Sequence, residues 1–240
     1  MTVLERTSPL VKLLVATLWL LGLATTTEAR PGAILTLVAL VVVTLLGRVP
    51  GPRLARALVP VVLAATGIAI ANLLFSRSNP DPAAAELLRL GPLRVTAEAA
   101  SAAGGLFARV TAIASVGLVF VLTTTPTRLA DALVQQGRVP ERFAFGALAA
   151  YQALPRFAAD LATIRTARRL RGLPDWRPWV LVSLLVRAIR HADQLAVAMD
   201  ARGFGSGPRT TFRPIAWGPL DAAVGLAGVA VLIVALAIQR

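Results

Sequence analysis

"ALVPVVLAATGIAIANLLF", residues 57–75, runs 19 positions without a charged side chain. A straight helix needs about 20 apolar residues to cross the hydrocarbon core of a bilayer, and about 17 are tolerated. This stretch therefore predicts a membrane-spanning helix, and its neighbours repeat the pattern. Val110–Thr123 is uncharged, and a helix there extends back through Arg109 toward Thr96. Ala222–Ile238 is clean, with Asp221 just before it. Leu13–Ala24 and Ala33–Leu46 are shorter, and fit a tight, shallow hairpin as well as two complete crossings. Composition agrees with a membrane protein. The 240 residues are 56% hydrophobic and 15% charged, with a mean hydropathy of +0.71. A soluble domain sits near roughly 45–50% apolar and about 25% charged.

The opening "MTVLERTSPLVK" and the apolar run behind it have the order of a secretory leader. "TEA" before Arg30 is a poor cleavage site because Glu28 sits inside it, and further spans follow at once, so a retained span is expected. The net charge is +13, and Lys12 is the only lysine. A basic membrane chain serves topology, anionic lipid or an acidic partner, and the hydropathy argues against nucleic acid. With no cysteine and the single histidine His191, neither a disulfide, a thiol nucleophile nor a transition-metal site is expected, and no cofactor.

Loop charges give the topology. "GRVPGPRLAR" between the second and third spans holds Arg48, Arg53 and Arg56 and no acid. The next loop, residues 76–105, balances Arg77, Arg89 and Arg94 against Asp81, Glu86 and Glu98. Residues 126–213 carry 14 arginines against six acids. The bias of positive loops to the cytoplasm then places the N-terminus and residues 126–213 inside, with only Arg240 dissenting. The expected organisation is all-α and polytopic, with about five spans: residues 1–125 hold four, 126–213 a cytoplasmic module, and 214–240 the last.

The module reads as three helices punctuated by prolines. One runs from Pro126 to near Gly137; a second from Pro140 to Gly172, interrupted at Pro155; a third from Pro178 to Gly203. In the third, Leu181, Leu185, Ala188, Ala192, Leu195 and Met199 form one apolar face. Arg187, Arg190, Asp193 and Asp200 would each cost about 2.5–3.5 kcal/mol at a bilayer centre, so this helix is expected to lie on a membrane or on another helix. Asp160, Asp193 and Asp200 are expected to pair with nearby arginines, Asp193 with Arg190 or Arg187. "GFGSGP" at 203–208 lacks the lysine and hydroxyl of a phosphate-binding loop. Asp221 is expected at the membrane interface and Pro60 in the first turn of its span, neither with a functional role. Small residues at 64–71 and 222–230 suit close helix packing, within the bundle or against a membrane partner.

"ARRLRG" at 167–172 and "DARGF" at 200–204 close the second and third module helices with the same pair, Arg171-Gly172 and Arg202-Gly203. Glycine suits the left-handed position after a helix, and arginine complements the negative helix end. One such end is ordinary termination. Two at matching ends of consecutive helices present two guanidinium forks, suited to two acidic sockets. Arg165, Arg168 and Arg169 share one face nearby, open to lipid headgroups or to a protein partner.

The run "TTTPTRLADAL…RVPERF…LPRFAADLATIRTARRLRG…LAVAMDARGF" resembles the transmembrane T component of energy-coupling factor transporters, the prokaryotic vitamin and metal-ion importers. The likeness covers the module almost end to end and reaches more loosely to "TAEAA" at 96–100. It implies no catalysis in this chain. It implies two ABC-type ATPase subunits, a substrate-capture membrane subunit, and coupling through two arginine motifs. By that resemblance Arg171-Gly172 is the first motif, with Leu170 in place of the usual alanine, and Ala201-Arg202-Gly203 is the second. Vitamins and transition-metal ions all remain open as cargo. Two rivals stand beside it: an ordinary permease with its own substrate path, and a membrane enzyme acting on lipid or phosphorylated substrates. The first needs polar residues along a span, and the second a cluster of acids or a metal site.

Overall fold

The computed structural model describes residues 3–26, 28–79, 85–90, 93–175, 177–207, 210–211 and 213–238, without the side chains of Val3, Glu5, Leu88, Arg89, Leu90 and Leu93. Asp81, Pro208 and Arg240, used in the charge and loop readings, lie outside those residues. The chain divides into two compact units, residues 1–129 with 216–240, and residues 130–215.

The first unit is a helical bundle. Its elements are α1 (Val3–Arg6), α2 (Pro9–Ala24), α3 (Ala29–Val41), α4 (Gly51–Phe75), α5 (Ala97–Thr123) and α9 (Pro219–Ala237). A π-helical turn, Val42–Leu46, continues α3, so the joined helix spans 18 residues, apolar but for Arg30 and two threonines, and reaches crossing length. Helices α4, α5 and α9 are also long and apolar enough to cross a bilayer. Helix α2, with 16 residues, is shorter. It is nonetheless no half of a tight hairpin, because it packs mainly on α9 and α5 and barely on α3.

Helix order follows from close approaches. Val15 and Trp19 meet Gly228, Gly22 meets Leu232, and the Ser8 backbone meets Asp221, so α2 and α9 run parallel. A Cβ added to Gly22 or Gly228 would come within 2.5 Å of the partner side chain, so glycine sets the helix separation there. Gly32 of α3 sits against the Ala108 backbone of α5 in the same way. Trp19, Leu23, Leu35, Ala39, Ala112, Val116 and Ala235 form the buried centre, and the Trp19 indole donates to the Gly228 carbonyl at 2.8 Å.

A short antiparallel hairpin, β1 (Glu86–Leu90) and β2 (Leu93–Thr96), precedes α5. Neither stretch was read as strand in the sequence. Thr96 caps α5 by accepting from the Ala99 amide, as its position before "AEAA" suggests. Asn79 caps α4 through the Leu73 carbonyl at 2.8 Å and accepts from the Thr96 amide at 3.3 Å, which turns the chain from α4 back into α5. Helix α4 begins at Gly51, six residues before the uncharged run. Pro60 is therefore inside the helix rather than in its first turn.

The second unit contains most of α6 (Pro126–Gln135), then α7 (Glu141–Leu170) and α8 (Trp179–Ala201). Pro155 does not interrupt α7. Its missing amide deprives the Tyr151 carbonyl of its usual donor, and both residues are exposed. On α8 the half-covered positions are Leu184, Ala188, His191, Leu195 and Met199, while Leu181, Leu185 and Ala192 are exposed. The packing face is thus rotated from the expected stripe in its first half. Arg187 bonds Asp160 of α7 at 2.7 Å instead of Asp193, joining the two helices.

Candidate functional site

Both long module helices end in the same way. Arg171 closes α7 with φ −91°, and Gly172 follows at φ +66°. Arg202 closes α8 with φ −92°, and Gly203 follows at φ +68°. After α7, the Leu173 amide donates back to the Arg168 carbonyl and the Gly172 amide to the Arg169 carbonyl, each at 3.0 Å. After α8, the Phe204 amide reaches Met199 at 3.0 Å and the Gly203 amide reaches Asp200 at 2.9 Å. These are two complete Schellman caps, with arginine on the last half-helical residue and glycine in the left-handed position. The cap turns the chain away sharply and leaves each arginine at the rim of a helix end.

The flanking arginines separate themselves by what they touch. Arg168 Nε donates to the Pro174 carbonyl at 3.0 Å. Arg169 grips Asp175 with two bonds, Nε to Oδ1 at 3.2 Å and Nη2 to Oδ2 at 2.6 Å. The hydrogen bond from Arg169 is the main reason the Asp175 carboxyl is held below the usual carboxylate range. Partial burial works against it, and the charges of Arg169 and Arg165 add to it. The same pairing raises Arg169 above its ordinary value. Arg168 and Arg169 therefore hold the α7–α8 connection in place. Arg171 is exposed, and its guanidinium makes no hydrogen bond or ion pair among the described residues.

The second tip is better backed. Phe204 packs edge-on against Phe145 of α7, with ring centres 6.5 Å apart at 74°. Phe145, Leu148, Met199 and Phe204 line an apolar groove with Arg202 at its edge. Ala201, the last residue of α8, and Arg202 are exposed. At the first tip, Leu170 and Leu173 are exposed instead, 84% and 46%. Among the described residues, no three His, Cys, Asp or Glu side chains gather where they could hold a metal ion.

Two buried charges escaped the sequence reading. Asp221 is 5% exposed and Lys12 8%. The sign of the first was its place one helical turn into α9; that of the second, a lone lysine at the head of an apolar run.

These features define a polytopic helical membrane protein in which two long helices, α7 and α8, end in matched arginine tips. The chain belongs to the CbiQ family, described as cobalt transport protein, which matches residues 1–212. It is similar to the energy-coupling factor transporter transmembrane protein EcfT of Limosilactobacillus fermentum, 30% identical over 169 residues and 62% of each chain. It is similar to EcfT of Streptococcus equi, 29% identical over 150 residues and 55% of each chain. A putative ABC transporter ATP-binding protein of Bifidobacterium longum is 26% identical over 230 residues, covering 88% of this chain and 28% of that protein. The chain thus spans about half to three-fifths of those EcfT relatives and little over a quarter of the Bifidobacterium protein.

Proposed function

We propose that this chain is the transmembrane coupling subunit of an energy-coupling factor importer. It transmits ATP-driven motion from two ABC-type ATPase subunits to a substrate-capture membrane subunit, for uptake of a transition-metal ion such as cobalt or of a vitamin. The observation that carries the reading is the repeated tip, an exposed arginine on a rigid Schellman cap at the ends of both α7 and α8. A guanidinium held so can make a bidentate, charge-assisted pair with a carboxylate, the strongest polar contact available to a side chain. Arg171 and Arg202 are the principal contacts. Gly172, Ala201 and Gly203 keep the tips narrow, and Arg165 contributes from the flank.

Three further points support it. The Bifidobacterium relative joins a segment similar to this chain to a protein named as ATP-binding. Positive-inside bias puts the N-terminus and the tips in the cytoplasm, where ATP is. Exposed apolar side chains on α4, such as Leu63, and on α8, such as Trp179 and Leu185, suit lipid and a membrane partner.

The test is co-purification. A tagged wild-type chain co-expressed with its ATPases should retain them in detergent, and the Arg171→Ala, Arg202→Ala double variant should lose them. Full ATPase recovery with the double variant rejects the assignment.

A further inference from the structure

Near the ends of α2, α5 and α9, two charged side chains are buried together with the main chain they hold. The Asp221 carboxylate accepts from the Ser8 amide through Oδ1 at 2.6 Å and from the Gly218 amide through Oδ2 at 3.0 Å. Lys12 Nζ donates to the Thr123 carbonyl at 2.9 Å. Ser8 precedes α2, and Lys12 lies in its first turn. Thr123 is the last residue of α5, three before α6 begins at Pro126. Gly218 precedes α9, three after the second unit ends at Ile215. One short segment, residues 8–12, therefore holds the chain both where it leaves the membrane bundle for the module and where it returns.

Ionisable groups inside a membrane bundle are costly and persist where they do something specific. Neither group caps a tip or lines the groove beside Arg202. We infer that Asp221 and Lys12 are positioning residues for coupling: they fix the two roots of the module to the start of α2, so that displacement of the tips moves the bundle instead of being lost at slack connections. This rests on the coupling reading above. Loss of the pair should loosen the roots and leave the tips intact.

The chain has no cysteine, so two introduced ones report cleanly. Spin labels on Thr163→Cys of α7 and Leu226→Cys of α9, both exposed, measure the spread of distances between module and bundle. In the complex with its co-expressed ATPases, the otherwise wild-type chain should give a narrow distribution that shifts when ATP is added. Asp221→Ala or Lys12→Met should broaden it about twofold, as local opening at the roots requires, and abolish the ATP-dependent shift, with ATPase retention unchanged. Asp221→Asn keeps the side-chain shape but one acceptor fewer, and should fall between; a mere volume effect would leave it at the wild-type width. An unchanged width and shift in Asp221→Ala overturns the inference, as does loss of folded chain and ATPase in proportion while the survivors respond normally. Should the wild-type chain retain no ATPase, the coupling reading fails, and the width measured on the chain alone still decides whether the roots are held by this pair.

Discussion

Replacing Gly172 or Gly203 by alanine tests the tips through backbone shape and leaves the charge alone. Both glycines hold left-handed φ values, +66° and +68°. An L-residue there costs roughly 1–2 kcal/mol. At Gly172 the new methyl meets nothing within 4 Å, so the backbone strain is the whole effect. At Gly203 the methyl lies 3.0 Å from Ser206 Oγ, which itself donates to the Gly203 carbonyl at 2.8 Å. That hydroxyl must move, adding about 0.5–1.5 kcal/mol for the lost bond. The expected costs are then roughly 1–2 kcal/mol at 172 and roughly 1.5–3.5 kcal/mol at 203.

If the capped tip is the binding-competent form, affinity for the ATPase falls with its population. That sets upper limits of about 5–30-fold weaker binding for Gly172→Ala and roughly tenfold to several hundredfold for Gly203→Ala, with a smaller loss the more firmly the cap is held in the wild type. The assay is interferometry of purified ATPase on the detergent-solubilised chain, with far-UV circular dichroism to confirm that the helices persist. Wild-type affinity in both glycine variants, beside lost binding in Arg202→Ala, would show that the caps do not present the arginines. Weaker binding at 172 than at 203 would show that the strain has been assigned to the wrong end.

Other consequences are smaller and separable. The Asp175 carboxyl has a lowered folded pKa, so its pairing contributes stability above the unfolded carboxylate range and loses it as pH falls through the folded value. Carboxyl-carbon NMR should find it titrating low, and Arg169→Ala should move it back up. The Arg187–Asp160 bond is half exposed, 51% and 19% at the two side chains. A double-mutant cycle on thermal unfolding should therefore return only about 0.2–1 kcal/mol of coupling. Gly32→Ala puts a methyl 2.8 Å from the Ala108 backbone, and forcing α3 from α5 should cost about 1–3 kcal/mol, read as a lower melting temperature in detergent.

What was legible in the sequence followed from forces that act along one stretch of chain. Apolar length gave α4, α5 and α9 as spans and left α3 undecided, and "TTTP" and "RVP" marked the module's helix boundaries. Glycine after arginine gave both caps. The misreadings share another origin, in groups that meet across the fold. Pro155 was expected to interrupt α7, but it stands at an exposed position and the flanking residues continue the helix. Asp193 was matched to Arg190 or Arg187 by sequence proximity, whereas Arg187 reaches across to Asp160. The burial of Asp221 was not foreseen, because nothing in α9 announces the Ser8 amide 213 positions away. The rotated face of α8 has the same cause. Its first half is apolar nearly all round, so periodicity alone does not choose which side meets α7.

The two tips share a cap but not a backing, and the difference bears on how each could carry load. Behind Arg202, Phe204 and Phe145 lock the turn after α8 onto α7, so the tip is preformed and part of the helix pair. Behind Arg171, the turn is tied by Arg168 and Arg169 to Pro174 and Asp175, within its own connection. Polar bonds at an exposed loop are individually weak and exchange with water, whereas a packed aromatic pair excludes it. Leu170 and Leu173 stand open beside Arg171, where a partner that seats that arginine as proposed would meet them. On this reading a partner completes the first tip by burying its leucines and meets the second already built, and α7 and α8 engage their partners with unequal stiffness even though both arginines make the same kind of bond.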